Sequence, residues 1–174
     1  EAFAEDATDG LGAAATSLGT IPASLTGFAA SPDGTTAYAI DLAAGILKVV
    51  ALAAPSTVTD AVALPSTARP PALARLETGG KTLLAVASRT DRALYVLAAD
   101  DLTASSGLLA TISLDRAPEF VGVGPEGVVH VVTEAGTALF LQAVDLAPLV
   151  AGQPAILAGE RAIPGDGFRL VGLL

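Results

Sequence analysis

The chain has 174 residues, of which 52% are hydrophobic, 4% aromatic and 16% charged, with no Cys, Met or Trp. That is too apolar for intrinsic disorder, and a chain of this length buries about 70% of its unfolded surface when it folds as one domain. A net charge of -9, from 9 Lys plus Arg against 18 Asp plus Glu, leaves no basic surface for nucleic acid or for an anionic membrane. Mean hydropathy is +0.62, but the apolar runs are short and broken by Gly, Pro, Thr, Asp and Arg. None approaches the ~20 apolar residues of a spanning helix, so no membrane span is expected. The lack of Cys removes disulfides, thiol catalysis and zinc-thiolate sites, and is compatible with either redox compartment.

Residues 1–10 read as an acidic tail. Glu5-Asp6-Ala7-Thr8-Asp9-Gly10 has the look of a calcium loop, but the bidentate Glu that such a loop needs at its twelfth position is replaced by Thr16, so a solvated acidic segment is expected. Ala2-Phe3-Ala4 has the small-x-small pattern of a signal-peptidase site, and the first residue is Glu1, not Met. With a composition rich in Ala, free of Asn, and with Lys only at Lys48 and Lys81, this predicts a bacterial protein exported to the periplasm or beyond.

The remainder, 11–174, is expected to be one domain or part of one, because a pattern recurs along it. Phe28 to Ile40 is an apolar run, a Ser31-Pro32-Asp33-Gly34 turn and a second apolar run. The same order returns around Glu77-Thr78-Gly79-Gly80-Lys81 and around Gly124-Pro125-Glu126-Gly127, so that Gly34, Gly80 and Gly127 lie about 46 residues apart. Pro presets the dihedral of the second turn position, and Gly takes the left-handed conformation that closes a hairpin. A third run follows each pair, at Ile46 to Leu52, Ala93 to Leu97 and Ala138 to Leu141. A weaker fourth follows around Ala61 to Leu64, Leu108 to Leu114 and Ala155 to Ile163.

Units of this length with four antiparallel strands predict an all-β chain of β-propeller blades, at about 25–70, 71–118 and 119–167. A β-sandwich or a solenoid is the alternative, and Leu146 to Leu157 is Ala-rich enough to form short helices instead. Partial strands are expected at both ends, at 11–22 and 168–174. Three complete blades do not close a ring, so a protein partner, further sequence or a second copy of the chain is expected to complete it and cover the end blades.

The Ser31-Pro32-Asp33-Gly34 hairpin between two apolar strands resembles the bacterial YVTN and lactonase-like propeller superfamily, and Leu94-Tyr95-Val96-Leu97-Ala98-Ala99-Asp100 is similar to that family's third strand and following turn. The resemblance covers about residues 25 to 174 and is clearest in the first unit. It implies fold and leaves activity open, because the same architecture hosts lactonases, electron-transfer subunits and binding modules. Gluconolactonase-type relatives hold a divalent metal with Glu, Asn and Asp, and this chain has no Asn. Quinone-binding, WD-repeat and sialidase-type propellers lean on Trp, also absent.

Candidate chemistry is sparse. His130, the one His, lies in a run of valines and reads as a packed histidine; a Ser-His-Asp triad has no Gly-x-Ser-x-Gly elbow to support it. Asp91-Arg92, Asp100-Asp101 and Asp115-Arg116 fall between predicted strands as solvated turns. Arg75 and Arg169 stand on predicted innermost strands, where a channel-facing charge meets water or a bound anion, and are the two candidate binding residues. No catalytic residue, metal site or cofactor is expected. The sequence favours a non-enzymatic binding or assembly module that holds a protein partner through rim loops or the channel mouth, over a metal-dependent lactone or ester hydrolase.

Overall fold

The computed structural model describes residues 25–52, 57–65, 72–102, 107–124 and 127–163. The segments expected as an acidic tail and as partial strands, 1–10, 11–22 and 168–174, lie outside the described residues, as does Arg169. Among the described residues the chain is all-β apart from short helical turns.

Three antiparallel sheets of four strands follow one another. The first holds β1 (Leu25–Ala30), β2 (Thr36–Asp41), β3 (Ile46–Ala51) and β4 (Thr57–Ala63). The second holds β5 (Ala72–Thr78), β6 (Lys81–Ser88), β7 (Ala93–Ala98) and β8 (Leu108–Ser113). The third holds β9 (Ala117–Val123), β10 (Val128–Ala135), β11 (Ala138–Asp145) and β12 (Ile156–Ile163). In each, strand order equals chain order, so every sheet is a meander. The first strands of the sheets, β1, β5 and β9, contact one another in succession and form the innermost row, with β4, β8 and β12 outermost.

Local chemistry fixes the hairpins. Gly34, Gly80 and Gly127 all take positive φ, +67°, +74° and +85°. The first hairpin is tied further by its own side chains: Ser31 Oγ donates to Asp33 Oδ1 at 2.5 Å, the Thr35 amide donates to the same oxygen at 3.1 Å, and the Thr36 amide donates to Ser31 Oγ at 3.0 Å. These bonds hold the Asp33 carboxyl below its ordinary pKa, with the Ser31 hydroxyl as the largest cause.

The second sheet lies between the other two, and its middle strands show it. β7 is buried at every position and β6 from Leu83 onward, with none of the alternation of a half-exposed strand. One face carries Leu73, Leu84, Val86 and Leu97 against Ile40, Leu47 and Val62 of the first sheet. The other carries Ala72, Ala74, Ala85 and Ala87 against Val121, Val129, Val131 and Val144 of the third. Small side chains on one sheet against branched ones on the next fill the space at close approach, which is where the Ala content of the chain goes.

Between β11 and β12 a short helix, α1 (Ala147–Val150), carries Pro148 in its first turn and is followed by irregular chain to Ala155. The Ala-rich segment from Leu146 is thus helical for a single turn only, and Ile156 begins the outermost strand. Leu149 and Val150 pack onto the core between the second and third sheets. Among the described residues no helix is long and apolar enough to cross a membrane.

Candidate functional site

Arg75 stands in the middle of β5, opposite Leu84 on β6. Side chains two apart on a strand share a face, so Arg75 points with Leu73 and Glu77 toward the first sheet. Its guanidinium sits in the crevice between the first two sheets, 13% exposed, and pairs with Glu77. Nη2 also lies 3.4 Å from Thr82 Oγ1, and that hydroxyl donates to Glu77 Oε1 at 2.8 Å. Nε is buried with no hydrogen-bond partner among the described residues. Tyr38 of β2 faces the same crevice: burial raises its phenol pKa, and the Arg75 charge opposes that shift. The charge expected on an innermost strand is therefore held by a carboxylate two residues along its own strand. Its partially open donor fork is suited to a carboxylate or other planar anion.

A second feature lies on the rim. β8 begins with Leu108 and Leu109, exposed by 41% and 45%, and β12 begins with Ile156 and Leu157, exposed by 54% and 56%. Leu108 is opposite Leu97 at the end of β7, and Leu157 and Ile156 are opposite Val144 and Asp145 at the end of β11, so the two pairs lie toward the same end of neighbouring sheets, offset by one residue. Both lie at the end of the molecule that carries the Gly80 and Gly127 hairpins. Each outer strand also bulges here: Leu109 is the extra residue between the partners of Val96 and Leu97 in one sheet, and Ala158, just after Leu157, is the extra residue between the partners of Ala143 and Val144 in the other. A bulge twists the strand and turns a side chain out of the pleat. Four large apolar side chains thereby reach water on a chain whose charged residues are acidic two to one.

The sequence reading missed this rim, although a signal for it existed. Two adjacent large apolar residues on one strand point to opposite faces, and an outermost strand has cover for one face at most. Among the described residues, Phe28 on β1 and Val123 on β9, both innermost strands, are the other strongly exposed large apolar residues.

The other candidates are structural. His130 lies on β10 opposite Gly122 and Ala143; its imidazole covers Gly124, where a Cβ would stand 2.6 Å from Nε2, and its buried Nδ1 has no hydrogen-bond partner among the described residues. Asp91 accepts from Ser88 Oγ at 2.7 Å and from the Tyr95 hydroxyl, closing the β6–β7 turn. Lys48 bridges Asp60 at 2.5 Å and Asp41 at 3.5 Å across the first sheet, and the bond to Asp60 raises its pKa. Among the described residues no group of three or more His, Asp and Glu side chains is placed to hold a metal ion.

Three stacked four-stranded meanders with a common innermost row define a β-propeller-type fold. No family model matches the chain, and no curated protein matches it. Among solved structures it is similar to the dihydro-heme d1 dehydrogenase NirN in complex with DHE, with a TM-score of 0.60 and 15% identity. The match covers 79% of this chain and 28% of that one. At that identity the likeness is one of fold, and it agrees with the propeller assignment.

Proposed function

We propose that the chain is a non-enzymatic binding and assembly module: propeller blades that hold a protein partner at their rim, with a partner or a second copy of the chain completing the ring. The observation that supports this best is the exposure of Leu108, Leu109, Ile156 and Leu157 at the same end of the outermost strands of neighbouring sheets. Large apolar side chains grouped at a rim are the usual core of a protein contact. Arg75, on the innermost strand of the second sheet and away from this rim, is proposed as a separate anchor for an acidic group of the partner, and Arg169 as a second such cation. The Ala-rich, Asn-free composition supports a bacterial source, and the small-x-small pattern of Ala2-Phe3-Ala4 supports work in the periplasm or outside the cell.

The test pairs association with turnover. The purified chain is examined by cross-linking and light scattering, beside a Leu109→Asp, Leu157→Asp variant. It is also assayed on model lactones and esters with added calcium, zinc or manganese. Association lost in the variant, with no turnover, is the expected result. Metal-dependent hydrolysis would replace this reading with a lactone or ester hydrolase.

A further inference from the structure

Two polar side chains are sealed inside the contact between the second and third sheets. Thr133 on β10 is 0% exposed and Gln142 on β11 is 5% exposed. Thr133 pairs with Phe140 and Val131 pairs with Gln142, in an unbroken register. Thr133 and Gln142 are therefore diagonal neighbours on one face, the face whose Val131 and Val144 pack against the second sheet. Gln142 is oriented by its amide, which donates from Nε2 to Glu160 Oε2 at 2.8 Å. Glu160 in turn accepts from Arg116 Nη1 at 2.5 Å, and the Arg116 guanidinium lies 3.8 Å over the Phe140 ring. The amide orientation is thus fixed, and Gln142 Oε1 is left pointing away from Glu160. Neither that oxygen nor Thr133 Oγ1 has a hydrogen-bond partner among the described residues.

We propose that this place is an internal hydration site, in which one water molecule donates a hydrogen bond to Gln142 Oε1 and accepts one from the Thr133 hydroxyl. Buried polar atoms in folded proteins are overwhelmingly paired. The two orphans are a donor and an acceptor on diagonal strand neighbours with no direct bond between them, an arrangement suited to a single bridge. A buried water needs a polar site with two or more partners, and this site supplies them in an otherwise apolar interface. The guest links β10 to β11 within the third sheet, since both of its partners stand on those strands. The inference is independent of what the rim binds.

The sign of one substitution decides it. Thr133→Val keeps shape and removes the hydroxyl. If the hydroxyl holds a water, the variant leaves Gln142 Oε1 buried and unpaired, and the melting temperature falls by about 2–4 °C. Thr133→Ser keeps the hydroxyl and the water, so a crystal structure at high resolution shows the same solvent peak within hydrogen-bond distance of both oxygens in wild type and Thr133→Ser, and none in Thr133→Val. A Thr133→Val protein that melts at or above the wild-type temperature would overturn the proposal, as would a wild-type crystal structure with no density between the two oxygens.

Discussion

Arg89 reaches from the turn after β6 to the third sheet, where its Nη2 donates to Glu134 Oε2 at 3.0 Å, and its Nη1 pairs with Glu119 on the neighbouring strand. The residues are distant in sequence, and the contact is a charged tie between two sheets that meet mainly through apolar side chains. Arg89 is half exposed, so the tie is worth about 0.5–1 kcal/mol after solvent screening. Arg89→Ala is expected to lower stability by that amount in urea titrations at low salt, and the difference from wild type shrinks as salt rises toward 1 M. A salt-independent loss would mean that the side chain acts by packing alone.

The hairpin glycines should differ in their tolerance. Gly34 has φ +67° and nothing within 4 Å of where a Cβ would stand, so Gly34→Ala meets backbone strain only, about 1–2 kcal/mol. At Gly127 the same change would also place a Cβ 2.7 Å from Thr78 Oγ1 of the second sheet, forcing the two sheets apart. Thermal melts of the two variants should rank Gly127→Ala below Gly34→Ala, and equal losses would show that the Thr78 side chain yields freely.

Burial between sheets should set the scale of the largest effects. Leu84 is fully enclosed between the first and second sheets, so Leu84→Ala removes transfer energy and leaves a cavity, at about 2–5 kcal/mol. Leu157→Ala, on the rim, should stay within about 0.5 kcal/mol of wild type. Denaturant midpoints measure both.

The hairpins and middle strands were legible in the sequence because each depends on a short-range requirement: a positive φ at Gly34, Gly80 and Gly127, and continuous apolar runs where both faces of a strand are covered. The fourth strands were weaker. β4 opens on Thr57-Val58-Thr59-Asp60, whose side chains are mostly exposed, so it begins earlier than the apolar run around Ala61 implied. The partner of Arg75 was within reach, since Glu77 stands two residues on and shares its face. The Arg89 tie and the Thr133–Gln142 pair were not. Both depend on which sheets stand side by side and in what register, which no local pattern encodes.

Acid should loosen the first hairpin and the outer third sheet. Hydrogen bonds from Ser31 and Thr35 hold the Asp33 carboxyl below its unfolded pKa, and hydrogen bonds from Arg116 and then Gln142 do the same for Glu160. A carboxylate depressed in the folded state contributes stability above its unfolded pKa and loses it as pH falls through the folded value. Melting temperature should therefore drop on acidification below about pH 4, and Asp33→Asn should drop less steeply there than wild type. Identical acid limbs would show that the Ser31 and Thr35 bonds form equally well to the neutral group.

The central claim is that these blades form an assembly surface, and native mass spectrometry of the 174-residue chain over a concentration series, beside the Leu109→Asp, Leu157→Asp variant, tests it most directly. The expected result is a discrete complex, with a second copy or with an added partner, that the variant cannot form while keeping the same circular dichroism spectrum. A cooperatively folding monomer at every concentration and with every partner offered, identical in wild type and variant, would contradict it.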